Sequence, residues 1–135
     1  MVFELEFGST KRCDLIDITS QIQDAIHESG IQSGICMLSV PHTTAGIVVN
    51  ENWDPSVRED LLATLDRLVP MRADYAHSEG NAAAHIKSCL VGTSEVLNVD
   101  RGELCLGRWQ GILLADFDGP RRRRVLIRVI PDTDK

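Results

Sequence analysis

The chain has 135 residues, a formal net charge of −6 and four cysteines. This length fits one domain that buries about two thirds of the surface its unfolded chain exposes, and the acidic balance excludes a general binder of nucleic acid or membrane surfaces, whose affinity rests on basic clusters. No apolar run is long enough to span a bilayer, the N-terminus has no signal-peptide core, and Cys13, Cys36, Cys89 and Cys105 form no C-x-x-C pair, so the expectation is a reduced, soluble, cytoplasmic protein.

In chain order, Phe3, Leu5 and Phe7 alternate with Glu4 and Glu6, the period of a half-buried strand, and Gly8-Ser9 marks a turn into a second short strand, about 11–15, expected to pair with the first. Asp17 to Ser20 supplies a helix cap, Ile22, Ala25 and Ile26 make its apolar face, and Gly30 closes it. His27, near the end of that helix, has no polar company in the sequence and is left out of any site. The consecutive apolar residues 35–38 predict a central strand covered on both faces, and 45–49 a second buried strand that runs into Asn50-Glu51-Asn52-Trp53-Asp54. Asp54 before Pro55 starts a helix whose apolar face is Val57, Leu61, Leu65 and Leu68, and Pro70 stops it.

Tyr75 to Lys87 then concentrates chemistry. His77 and His85 are eight residues apart, about 12 Å along a continuous helix and too far to share an ion. Gly80 permits a sharp turn and Asn81 is a favoured N-cap, so a loop carrying His77 and Glu79 can fold over a helix from Ala82 carrying His85. That helix start offers unpaired N–H groups and a positive dipole end to an anion. His42, in Pro41-His42-Thr43-Thr44 after an apolar run, is the third candidate ligand. Three neutral imidazoles with one open position suit a catalytic divalent metal, zinc first and magnesium with a phosphate substrate. Glu51, Glu79 and Asp54 are the acids available to ligate or move a proton, although capping already accounts for Asp54.

From Ser94 the pattern is all strand: 96–99, the Asp100-Arg101-Gly102 turn, 103–106, 109–117, the Asp118-Gly119-Pro120 turn and 123–130, read as hairpins joined by short turns. Cys36 and Cys105 fall inside apolar patterns. Trp109, between Gly107-Arg108 and Gln110-Gly111, belongs either to the core or over a ligand. In an extended strand Arg121 and Arg123 face one way and Arg122 and Arg124 the other, so one pair can form an anion clamp while the other is solvated. The fold expected is α+β: a mostly antiparallel sheet system with about three helices in a single domain.

His42-Thr43-Thr44-Ala45, Asn50-Glu51-Asn52, Asp54, Asp60-Leu61, Pro70, His77-Ser78-Glu79-Gly80-Asn81, Ala84-His85, Gly107-Arg108-Trp109-Gln110 and Phe117-Asp118-Gly119-Pro120-Arg121 together resemble the YjbQ-like family, in order, from about Phe3 to Pro131. The resemblance implies a compact α+β fold, assembly as a homotrimer and a secondary thiamine-phosphate synthase activity on a small phosphorylated metabolite. It carries the family's histidine positions onto His42, His77 and His85, and its acidic and amide positions onto Glu51, Asn52, Asp54, Glu79 and Asn81. The chain departs from the family at Arg108, where threonine is usual, beside Trp109. The reading that follows takes Glu51, Glu79 and Asn52 as catalytic, Asn81, Arg121, Arg123 and Trp109 as contacts to an anionic substrate, and the three histidines as metal ligands. A metal-dependent phosphoester hydrolase and a non-catalytic protein that binds a metal or an anionic metabolite are the alternatives. No nucleic acid or membrane is expected as a partner.

Overall fold

The computed structural model describes residues 1–133 and contains eight strands and three helices among them. The strands are β1 (Val2–Gly8), β2 (Asp14–Asp17), β3 (Gly34–Ser39), β4 (Ala45–Glu51), β5 (Ser94–Asp100), β6 (Glu103–Leu104), β7 (Gln110–Asp116) and β8 (Arg122–Pro131); the helices are α1 (Thr19–Ser29), α2 (Pro55–Leu68) and α3 (Ala82–Val91). They form two sheets, one of five strands in the order β1-β8-β3-β5-β6 and one of three in the order β2-β7-β4, with every pair antiparallel. The expected α+β architecture with three helices is observed.

The pairing differs from the sequence expectation at both ends of the chain. The second strand is shifted to Asp14–Asp17 and pairs with β7, while β1 pairs with β8. The Asp118-Gly119-Pro120 turn is correspondingly a corner between sheets and no hairpin. The reason lies in the intervening segment: Ser9 N–H donates to Arg121 O at 2.9 Å and Gly119 N–H to Arg12 O at 2.9 Å, so the link after β1 follows the corner across instead of folding back. The Asp100 turn does make a hairpin, with Arg101 and Gly102 both at positive φ (55° and 73°), but β6 extends only over Glu103–Leu104.

Between the sheets lies the main core, in which Ile18, Ile22 and Ile26 of the α1 region meet Cys36, Leu38, Ile47, Ile112 and Val125. A second cluster, Leu15, Ala84, Leu113, Ala115 and Phe117, is covered by Leu61, Leu62 and Leu65 of α2 and by α3. Strand β3 is covered on one face only: Cys36 and Leu38 are buried, whereas Ile35 and Met37 are half-buried on the outer face of the large sheet. Helix α2 starts as read, with Asp54 accepting the Ser56 N–H at 2.9 Å and Pro55 in the first turn, yet none of its residues is buried and Leu68 is 70% exposed. Leu62 replaces Leu68 on the packed face. His27 has a polar partner after all, Glu103 at 3.0 Å, and Cys105 is exposed, not in the core.

Helix α3 packs directly on β4. A Cβ at Gly46 would lie 2.5 Å from the Gly92 carbonyl, and the Ile47 N–H donates to that same oxygen at 3.0 Å. Glycine at 46 thus lets the end of α3 touch the strand backbone, which fixes His85 beside the loop that precedes β4.

Candidate functional site

The segment between β3 and β4 carries His42. Past the end of β3 the ladder to β8 stops, and the His42 ring takes over: its Nε2 accepts the Arg124 backbone N–H at 2.9 Å. Burial, then the nearby Arg123 and Arg124 guanidinium groups, push its pKa below the ordinary histidine value. His42 is therefore neutral, with the lone pair on Nε2 already engaged and Nδ1–H left as a donor.

A groove of about 380 Å³ opens between this loop and the start of α3, and its lining includes His42, Thr43, Glu79, Asn81, His85 and Arg121. His85 also borders an adjoining hollow with His42 and Cys89, and another with His77 and Tyr75. His77 and His85 meet edge to face, ring centroids 5.1 Å apart, and Glu79 lies 3.8 Å from His77. Gly80 has φ 79°, the turn the sequence required. Asn81 stands at the N-cap position of α3 but makes no capping bond; its Nδ2 instead donates to Asp118 Oδ2 at 2.9 Å. The first N–H groups of α3 thus have no side-chain cap.

The arginines divide as strand geometry dictates, with one difference in role. Arg122 and Arg124 face outward and pair with Glu6 (3.2 Å) and Glu4 (2.7 Å). Arg123 borders the groove but is buried, and its guanidinium is committed: 2.7 and 3.1 Å to the fully buried Asp116, 2.9 Å to Thr44 Oγ1. It forms a floor rather than a free anion clamp. Burial pushes the Asp116 carboxyl up, and the bonds from Arg123 outweigh this and hold it below the usual carboxylate range. Arg121 is half exposed, contacts Asp118 at 3.2 Å and is the guanidinium left facing the groove. Asp118, a turn residue in the sequence pattern, ties Asn81, Arg121 and, at 3.8 Å, Arg12 together.

Glu51, Asn52 and Trp109 are not brought to this groove. The register of β4 on β7 runs from Ala45 opposite Asp116 to Glu51 opposite Gln110, so they sit at the other end of these strands, about 20 Å away at the rise of an extended chain. There Asn52 donates to Asp17 at 2.6 Å and to the Trp109 carbonyl at 2.9 Å, the latter through its backbone, and Trp53 meets Trp109 edge to face at 5.8 Å. Gly111 makes the room, since a Cβ there would lie 2.5 Å from the Asn52 side chain.

As placed, the three histidines do not fit one metal ion within a chain. His42 Nε2 is taken by Arg124, and among the described residues no three or more His, Cys, Asp or Glu side chains gather closely enough to hold an ion. The thiols offer no substitute: all four cysteines are unpaired, and burial raises the Cys36 pKa to about 11.

Two antiparallel sheets, with a groove lined by histidine and arginine at a helix start, define an α+β protein. The chain belongs to the UPF0047 YjbQ-like family, whose model matches residues 3–132. It is 48% identical to a UPF0047 protein of Methanocaldococcus jannaschii, over 98% of this chain and 96% of that one, and 45% identical to the UPF0047 protein YugU of Bacillus subtilis, over 96% and 99%. Among solved structures it is similar to an uncharacterized conserved YjbQ/UPF0047 protein of Clostridium acetobutylicum (TM-score 0.93, 44% identity, 95% and 99% covered). A protein of unknown function from Sulfolobus solfataricus is also similar (TM-score 0.94, 31% identity, 98% and 97% covered).

Proposed function

We propose that this chain is an enzyme acting on a small phosphorylated metabolite held in the His42–His85 groove. Its reaction is the one the family resemblance implies: a pyrimidine pyrophosphate is joined to a thiazole phosphate to give thiamine phosphate, and pyrophosphate leaves. The observation that carries the reading is the convergence of Arg121, His42 and His85 on one open space beside the first turn of α3, whose N–H groups no side chain caps. As the bond to the leaving pyrophosphate breaks, negative charge grows on its oxygens, and donors fixed in place stabilise that charge without reorganising. Glu79, exposed at the mouth beside His77, is the carboxylate placed to move a proton. A divalent ion enters this reading only through His77 and His85, and no step is assigned to it.

A homotrimer and a cytoplasmic location belong to the same proposal. The trimer is supported by surfaces that the chain leaves uncovered: α2 without a buried residue, and Val2, Val96 and Ile130 exposed on the outer face of the large sheet. The location is supported by four unpaired cysteines. No helix of the described residues is long and apolar enough to cross a membrane.

The test is formation of thiamine phosphate from the pyrimidine pyrophosphate and the thiazole phosphate by wild type and His85→Ala. The expected result is product from wild type and a loss of about 100-fold or more in the variant. Equal rates, or none from either, remove the reading, and release of inorganic phosphate without coupling assigns the groove to hydrolysis.

A further inference from the structure

One face of α3 leaves a space beside the groove. Ala82, His85 and Ile86 stand three and four residues apart and so share that face. Opposite them the loop before the helix presents Tyr75, Ala76 and His77 across a hollow of about 340 Å³. The loop wall is tied down: the Tyr75 N–H donates to Ala73 O at 2.9 Å, the Tyr75 hydroxyl donates to Pro70 O, and the His77 ring stands edge to face with His85. Ala76 and Ala82 contribute only methyl groups, which keeps the space open.

This hollow differs in chemistry from the groove. Its surface is mostly carbon, and none of the described residues lining it is Lys, Arg, Asp or Glu. A cavity of about 150 Å³ already holds benzene, so a ring has ample room here. Three of the six lining side chains, Tyr75, His77 and His85, are themselves rings, whose faces and edges favour contact with another flat ring. A lone exposed isoleucine is ordinary, whereas Ile86, 41% exposed, completes the wall of this hollow and is placed to cover an apolar ligand. His85 is also a wall of the groove, where Arg121 and the His42 ring stand. Small-molecule sites join an apolar, aromatic lining to a few polar groups that fix orientation; the hollow supplies the lining and the groove the polar groups.

We infer that the hollow between Tyr75 and Ile86 is the subsite for a flat ring, and that the ligand class of this site is a ring-bearing phosphate. The ring lies against Tyr75, His77 and Ile86, the phosphate lies in the groove, and His85 stands between them. The phosphate half rests on the reading of the groove given above, whereas the ring half rests on the hollow alone. Tyr75, Ala82 and Ile86 then select the substrate without touching its anion.

Calorimetry with inorganic phosphate, phenyl phosphate and cyclohexyl phosphate tests the assignment. Wild type should bind phenyl phosphate about tenfold or more tighter than inorganic phosphate, and tighter than cyclohexyl phosphate, which has the bulk without the flat face. Ala82→Leu, which fills the hollow, and Ile86→Ser, which strips its exposed wall and leaves the core untouched, should each remove most of that advantage and bind inorganic phosphate as wild type does. Equal binding of phenyl and inorganic phosphate by wild type, or an advantage undiminished in both variants, overturns the inference, and an equal gain from cyclohexyl phosphate overturns the flat ring. A changed mass of Ile86→Ser in light scattering, with the advantage intact, gives the hollow to a contact between copies and likewise overturns it. Phenol carries the ring without the anion: it should shift the His77 and His85 imidazole resonances of wild type and not those of Ala82→Leu. No shift in wild type overturns the ring subsite. Shifts with phenol but no binding of any phosphate support the ring subsite and remove the anion reading alone.

Discussion

Asn81 donates to Asp118 across 2.9 Å instead of capping its own helix. That one bond links the start of α3 to the corner between the sheets and holds Asp118 where it also meets Arg121. Burial pushes the Asp118 carboxyl up, and the bonds from Asn81 and Arg121 bring it below the usual carboxylate range. Asn81→Ala should cost about 1 kcal/mol in urea unfolding and weaken pyrophosphate binding by releasing the Arg121 side chain. Asn81→Asp, which sets a second carboxylate against Asp118, should weaken binding further.

His42 gives a pH prediction. Its pKa is depressed in the folded chain, by burial first and then by Arg123 and Arg124, so the unfolded chain takes up a proton at a higher pH than the folded one. Stability is therefore full above about 6.5, the ordinary histidine value, and falls with pH through the window between that value and the lower folded one. Below the window it levels off until the carboxylates begin to titrate. Urea unfolding across this range should show the slope in wild type and a shallower one in His42→Gln. An equal slope in both would assign the effect to another group.

Arg123 and Asp116 form a buried, fully bonded pair, and removing one partner strands the other. Arg123→Ala should lose about 3–5 kcal/mol, whereas Arg122→Ala and Arg124→Ala, whose partners Glu6 and Glu4 are in solvent, should each change stability by about 1 kcal/mol or less. Thermal unfolding of the three variants separates the roles that a run of four arginines conceals.

Metal removal should leave the fold intact, because both cores are assembled from apolar side chains and, among the described residues, no three or more His, Cys, Asp or Glu side chains gather to hold an ion. Dialysis against a chelator is expected to leave the melting temperature unchanged, in contrast to small domains whose folding energy is the metal's binding energy. A large drop would show an ion holding the chains or the His77 loop in place.

Much of the fold was legible because local chemistry decided it. Asp54-Pro55 starts α2, Gly30 and Gly80 take the left-handed conformations that end one helix and precede another, and Arg101-Gly102 makes a hairpin. What the sequence concealed was distance. A turn that looks like a hairpin at Asp118 is a corner, because backbone bonds from Ser9 and Gly119 decide which sheet each strand joins. Within the site, Gly80 brought His77 to His85 as local geometry required, and His42, Asn81, Glu79 and Arg121 line one groove. Glu51, Asn52 and Trp109 fell at the opposite strand ends, a separation set by register. Asp116 ends an apolar run, and a carboxylate buried there needs a cation, which Arg123 supplies.

The most direct test of the account is calorimetric titration of wild type and Arg121→Ala with inorganic pyrophosphate at low and moderate salt. The account predicts saturable binding by wild type that weakens as salt rises, and a loss of about tenfold or more in the variant with its fold unchanged by circular dichroism. Binding of equal strength in both proteins, or no binding by wild type, would contradict it.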